Sequence, residues 1–276
     1  MMNEVQDFKH IIITRFNVPT ATWEVTREGK KPLSEEWLSD RFSIFQKYCF
    51  PSFKNQKNQN FIWLVFFDVN TSEKYKEIIY RLQSEFSKFT PVFIREFPEM
   101  QPKLLEIIPQ YFDENTKYII TSDIDNDDLL HSDFTDTVQK KYKPTNNLVI
   151  DLKSGIQLTK TSDQKAFANI FNLTSGPFVS LVEDIKDFGT VIKENHVKYR
   201  HYPNYSAYDE KPLYIQFIHE NNLLNDTFKN NKRLYKINFN DFGVDDKNSF
   251  IISKFDALIC NASRIKNKIL KKIKRK

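Results

Sequence analysis

The sequence predicts an α/β chain on a mostly parallel central sheet flanked by helices, with an elaborated second half. Three observations carry that prediction. Short apolar runs alternate with helical patterns four times between His10 and Thr121, and such alternation requires the crossover connections of parallel strands. The chain has 276 residues, 40% of them hydrophobic and 25 of them Phe, enough for a sizeable core. The fourth run ends in Asp123, Asp125, Asp127 and Asp128, where open α/β sheets receive ligands.

Residues 10–17 read as a buried strand that stops in a polar turn before Pro19. Residues 20–32 are polar, with Gly29, and read as a loop. Ser34 is an N-cap, Glu35 and Glu36 suit a first helical turn, and Trp37, Leu38, Phe42, Phe45 and Tyr48 follow at helical spacing. Pro51 is expected to close that helix. Residues 61–67 form a second strand ending at Asp68. Ser72 then caps a helix with Tyr75, Ile78, Ile79, Leu82 and Phe86 on one face. Residues 91–94 form a third strand, Pro102 opens a helix towards Pro109, and residues 118–121 form the fourth strand. Beyond it, 148–152 and 155–159 read as a hairpin, and 178–182 and 213–218 as further strands.

Cys49 and Cys260 are too few for a disulfide framework or a zinc site. No N-terminal stretch has a signal-peptide core and none approaches the ~18 apolar residues of a membrane span, so a cytoplasmic location is expected. The net charge of +5 is uneven, because residues 264–276 hold eight Lys/Arg and no acid. The remainder is near neutral, which argues against a nucleic-acid partner. In the tail, Ile265, Ile269, Leu270 and Ile273 recur among the lysines at helical spacing. That pattern suits an anionic membrane surface.

Four carboxylates within six residues repel one another unless a cation or several donors compensate them. An EF-hand starting at Asp123 fails, because its sixth and twelfth positions are Asp128 and Phe134. A phosphatase-type nucleophile follows a first strand, not a fourth. With five glycines there is no GxGxxG or GKS/T phosphate loop. The remaining pattern is D-x-D, Asp125-Asn126-Asp127, with Asp128 beside it. In an extended segment Asp125 and Asp127 point the same way and can share one Mn²⁺ or Mg²⁺ that keeps open positions for phosphate oxygens. A ligand-free acidic loop is the plain alternative.

Residues 14–17 (TRFN), 41–45 with 51–53, 59–65, 125–128, 177–183 and 215–221 occur in an order that resembles the rhamnosyltransferase family of GT-A-type glycosyltransferases, over roughly 8–225. The resemblance implies one GT-A-like domain over 1–262 and a basic tail over 263–276. The nucleotide half spans about 8–130 and the acceptor half 131–262. It implies inverting transfer of a sugar, with rhamnose the candidate, from a nucleoside-diphosphate sugar donor. The acceptor would be a saccharide or lipid-linked saccharide of a cell-surface glycan.

In that reading Asp125 and Asp127 hold the cation, with His219 as a further ligand. Arg15 pairs with phosphate, and Asn17 and Asp68 meet the base or ribose. Arg41 could reach the nucleotide, but a helix-surface salt bridge is the better reading of it. Asp128 orients the metal site or a sugar hydroxyl. Glu183 is the acceptor base, with Asp184 as its substitute. One departure stands out: the family tends to carry a basic residue where this chain has Asp123. Two rivals remain, a basic-tailed binding protein without catalysis and a nucleotide-sugar hydrolase using the same site.

Overall fold

Strands buried on both faces have to be apolar throughout, and the first strand obeys that rule: Ile11, Ile12 and Ile13 are all inaccessible to solvent. The computed structural model describes residues 6–20, 33–162, 164–219 and 231–273. The first half runs β1 (Phe8–Arg15), α1 (Glu35–Ile44), α2 (Phe50–Lys54), β2 (Ile62–Asp68), α3 (Glu73–Glu85), β3 (Phe89–Ile94), α4 (Met100–Ile107) and β4 (Tyr118–Asp123). The second half runs β5 (Leu129–Leu130), α5 (Phe134–Lys140), β6 (Leu148–Leu152), β7 (Ser154–Ser162), β8 (Lys165–Asn172) and β9 (Val179–Asp184). It ends with β10 (Asn204–Tyr208), β11 (Tyr214–Ile218), β12 (Ile251–Ile252) and α6 (Lys254–Ile273).

A seven-stranded sheet has the order β10-β6-β9-β4-β1-β2-β3. β3, β2, β1 and β4 are parallel, β9 is antiparallel to both β4 and β6, and β10 is parallel to β6. Only β9 therefore runs against the others, and the mostly parallel sheet expected of a GT-A-like chain is present. A second sheet, β12-β8-β7-β11-β5, packs its own apolar cluster around Ile156, Ile215 and Phe217.

The core lies on both faces of the large sheet. Alternation along β1 sends Ile12 and, beyond the strand end, Phe16 to one face and Ile11 and Ile13 to the other. The first face is aromatic: Phe16, Phe42 and Phe45 pack there, and Phe53 lies flat on Trp63 at 3.6 Å. The second face takes Met100 and Leu104 of α4. Ser34 caps α1 by accepting from the Trp37 N–H at 3.3 Å.

Several expectations need correction. Pro51 does not end the first helix. A π-helical turn, Phe45–Cys49, precedes α2 and places Pro51 in its first turn, where a missing N–H is tolerated. Ser72 stands at the cap of α3 but makes no side-chain cap bond. β6 and β7 do not form a hairpin. The chain leaves one sheet for the other at Lys153, and β7 pairs with β8. α6 starts at Lys254, so the expected boundary at 262/263 falls inside a continuous helix. Most of the loop read at 20–32 lies outside the described residues, as do residues 220 and 221 of the last family segment.

Candidate active site

Because β4 is parallel to β1, the loop after Asp123 emerges beside the end of β1. Asn126 fastens it there: its Nδ2 donates to the Arg15 carbonyl at 2.8 Å and to the Phe16 carbonyl at 3.0 Å. Its Oδ1 accepts from Arg41 Nη1 at 3.1 Å. Arg41 is nearly buried, its guanidinium 4.9 Å from the Trp37 ring centroid, and it pairs with Asp127 Oδ2 at 2.6 Å. The same oxygen lies 3.0 Å from His219 Nε2, at the end of β11. Asp128 Oδ1 accepts the Phe217 N–H at 2.9 Å. Asn126, Asp127 and Asp128 thus lock the loop onto β1, α1 and β11.

Asp123 and Asp125 face the other way, onto a cavity of about 660 Å³ that Arg15, Phe178, His196 and Gln216 also line. Asp128 reaches its wall as well. Both Asp123 and Asp125 have solvent-accessible surface, yet they lie deep enough that desolvation dominates their protonation. Burial and the charge of Asp125 push Asp123 up to about 7, against the pull of Arg15. Asp125 is raised by burial and by Asp127. Asp128 is raised further, by burial and by both neighbouring carboxylates. Burial would also raise Asp127, but Arg41 and His219 outweigh it and hold that carboxyl below the ordinary range.

Two walls of the cavity are pinned to each other. Ser175, at φ 55°, donates through Oγ to the His196 carbonyl, and its amide donates to Asp151 Oδ2 at 2.7 Å. His196 Nδ1 lies 2.8 Å from the Ser175 carbonyl. A carbonyl only accepts, so Nδ1 carries the hydrogen and Nε2 is the nitrogen left for a cavity ligand. Phe178 stacks on Tyr214 at 3.6 Å, and Gly155 lies so close beneath that a Cβ there would meet the Tyr214 ring at 2.2 Å. Only glycine fits at that position.

The predicted residues are brought together in part. Asp125, Asp127, Asp128, Arg15, Arg41 and His219 converge around one loop. Arg41, however, is a clamp on Asp127 and Asn126 rather than a group open to a nucleotide in this arrangement. His219 turns Nε2 to Asp127, so it orients that carboxylate. Among the described residues no three His, Cys, Asp or Glu side chains converge with metal-ligand geometry. Asn17 and Asp68 do end their strands at the ligand edge, but their polar groups are engaged locally. Asn17 bonds Thr71 Oγ1 at 3.0 Å and the Asp68 N–H at 3.2 Å, and Asp68 Oδ1 accepts from the Asn70 N–H at 2.9 Å.

Glu183 and Asp184 are displaced outright. The register sets Asp184 against Tyr118 and Glu183 against Ile119, at the start of β4, whereas the acidic loop follows its end. That separation is about 13 Å along the strand. Glu183 is fully buried and accepts from the Gly189 N–H at 2.9 Å and from Lys193 Nζ at 2.7 Å. Asp184 closes a local turn by accepting from the Lys186 N–H at 2.9 Å. The reversed direction of β9 is the cause. Sequence reasoning missed His196 and the tie made by Asn126. His196 stands in no motif, and Asn126 was visible only as the middle of D-x-D.

The sequence matches the family described as "Putative rhamnosyl transferase" over residues 9–231. No curated protein matches it. Among solved structures it is similar to S. aureus TarS 1–349, with a TM-score of 0.44 at 10% identity over 76% of this chain and 60% of that one. The TarS complex with UDP-GlcNAc gives 0.42 at 11%, over 77% and 59%. The complex with UDP gives 0.44 at 11%, over 77% and 61%. The chain therefore spans about three-fifths of the length of those structures. Since the family match runs through the acidic loop, the cavity walls and His219, the chain belongs to this rhamnosyl transferase family of glycosyltransferases.

Proposed function

We propose that the protein transfers a sugar, rhamnose in the reading its family favours, from a nucleoside-diphosphate donor to a saccharide hydroxyl with inversion at the anomeric carbon. The observation that carries this reading is the cavity at the end of β4, where Asp123 and Asp125 lie open beside Arg15 in a chain of a glycosyltransferase family. Transfer builds negative charge on the departing diphosphate, and a site for it needs positive charge held in place. Arg15 at the end of β1 supplies one such charge, in the planar form that pairs with phosphate.

A hard divalent cation fits the donor set. The oxygens are all carboxylate, and Asp123, Asp125 and Asp128 line one cavity, where burial first and the neighbouring carboxylates second raise their protonation above the ordinary range. Asp125 would hold Mn²⁺ or Mg²⁺ together with phosphate oxygens. Asp128, which reaches the wall of the same cavity, would serve as a second carboxylate, and Asp127, held by Arg41 and His219, would steady the loop behind the ion. Such an ion stabilises the leaving diphosphate. The acceptor hydroxyl needs a base, and His196 takes that part in place of Glu183. Its Nδ1–H is fixed on the Ser175 carbonyl, and Nε2 can receive the proton.

Thermal unfolding with a panel of nucleoside diphosphates and nucleotide sugars, with and without Mn²⁺, tests the reading. Stabilisation that needs both nucleotide and metal and disappears in Asp125→Asn supports it. Stabilisation by polyanions alone would favour the binding-protein rival. Sugar released at the same rate with and without an acceptor would identify a hydrolase.

A further inference from the structure

We infer that α6 is a membrane-docking element that lies on an anionic lipid surface. Among the described residues the helix is held to the domain by one side. Ala257 is buried, and Asn261 donates through Nδ2 to the Arg233 carbonyl at 3.0 Å while its Oδ1 accepts the Arg233 N–H at 2.9 Å. At about 100° per residue, Phe255, Leu258, Ile259, Ala262, Ile265, Ile269 and Leu270 fall within an arc of about 140° on the opposite side. This stripe is uncovered: Phe255 is 71% exposed, Leu258 56%, Ile265 52% and Ile269 53%. Lys266 interrupts it, its side chain bordering the same apolar groove as Ile265, Ile269 and Leu270.

A helix carrying such a stripe over about 22 Å of its length is poorly satisfied in water. Charge selects its occupant. Residues 264–276 hold eight Lys/Arg and no acid, so a second copy of α6 laid on the first would bring two strongly positive segments together. A polyanion in solution would meet the lysines and leave the apolar stripe wet. A bilayer with anionic headgroups satisfies both, the stripe entering the acyl boundary and the lysines meeting the headgroups. No helix among the described residues is long and apolar enough to cross a membrane, so the contact is one of lying on the surface.

The test uses the full chain with phosphatidylcholine vesicles and with vesicles containing one-third phosphatidylglycerol, read by co-sedimentation alongside sedimentation velocity without lipid. Binding to the anionic vesicles only, reduced roughly tenfold or more in Ile265→Ser/Ile269→Ser and on raising salt, supports the inference. Both isoleucines are exposed, so the domain keeps its unfolding midpoint in that variant. Absence of binding to the anionic vesicles overturns it, as does binding that ignores the two serines. Self-association abolished by the same substitutions also overturns it and assigns the stripe to a second copy.

Discussion

Arg41 Nη1 stands 2.6 Å from Asp127 Oδ2, with both side chains more than nine-tenths buried. A helix residue from the start of the domain thus supplies a fixed positive charge beneath the D-x-D loop, and Asn126 makes the pair part of a network reaching β1. Breaking such a pair from one side leaves a buried charge without its counterpart. Arg41→Met is expected to cost about 3–5 kcal/mol in urea unfolding. Arg41→Lys keeps the charge but not the planar fork that serves both Asp127 and Asn126, and is expected to fall between. Equal stability of all three proteins would show that the clamp contributes nothing.

Removal of divalent metal with EDTA is expected to abolish stabilisation by a nucleoside diphosphate, and Mn²⁺ to restore it. Asp125→Asn should lose that response while unfolding near the wild-type midpoint without ligand, because its carboxyl faces the cavity. Calorimetric titration of the diphosphate with and without metal checks both points.

Glu183→Gln separates the two assignments of the acceptor base. Glu183 lies at the far end of β4 and accepts from Lys193 and Gly189, so its substitution should lower stability by about 1–3 kcal/mol and leave kcat within a few-fold. His196→Gln should do the reverse, lowering kcat by about 10²–10⁴-fold with donor affinity kept. A loss of turnover on Glu183→Gln alone would restore the sequence-based assignment.

Stability is expected to fall with acid through His10. Burial lowers this histidine from 6.5 to about 3, and its neutral ring is used at both nitrogens, by Ser122 Oγ at 3.0 Å and Gln139 Nε2 at 3.3 Å. The unfolded chain takes up the proton near 6.5 and the folded one near 3. Unfolding therefore binds a proton in that window, and stability present above 6.5 is lost as the pH falls through it. Between the plateau above pH 8 and pH 5 the loss from this group is about 2 kcal/mol, measurable by urea unfolding and flattened in His10→Gln.

Gly155→Ala would set a Cβ 2.2 Å from the Tyr214 ring. Tyr214 must then shift, and Phe178, stacked on it in the cavity wall, must follow. The expected cost is about 1–3 kcal/mol, with a weaker acceptor KM and little change in donor binding. Unfolding and steady-state kinetics read the two effects separately.

β1, β2 and β4 were legible because a parallel strand covered on both faces reads as an unbroken apolar run. The acidic loop was legible for a similar reason: a dense carboxylate group at a strand end is local information. Sheet membership was not. Alternation along 148–152 and 155–159 says which residues are buried but not which strand lies alongside, so the change of sheet at Lys153 was missed. β8 escaped notice because its core-facing positions include the polar, fully buried Asn169. The direction of β9 has no sequence signature either, and that one omission carried Glu183 and Asp184 to the wrong edge. Arg41 and His219 were both named, but their common partner, Asp127, is set by tertiary packing.

The reversed course of β9 has a bearing on how this enzyme could be retargeted. Because the strand enters the large sheet from the cavity side, the segment just before it, 173–178, is wall rather than framework, and Leu173, Pro177 and Phe178 all border the cavity. Its middle is anchored by Ser175 to Asp151 and to the His196 loop, while the strands on either side belong to different sheets. Cassettes of equal length exchanged between Asn172 and Val179 would reshape this wall of the cavity and leave β1, β4 and their carboxylates in place. Under the proposed function, one face of the cavity can thus be varied by loop exchange while the carboxylate face is kept.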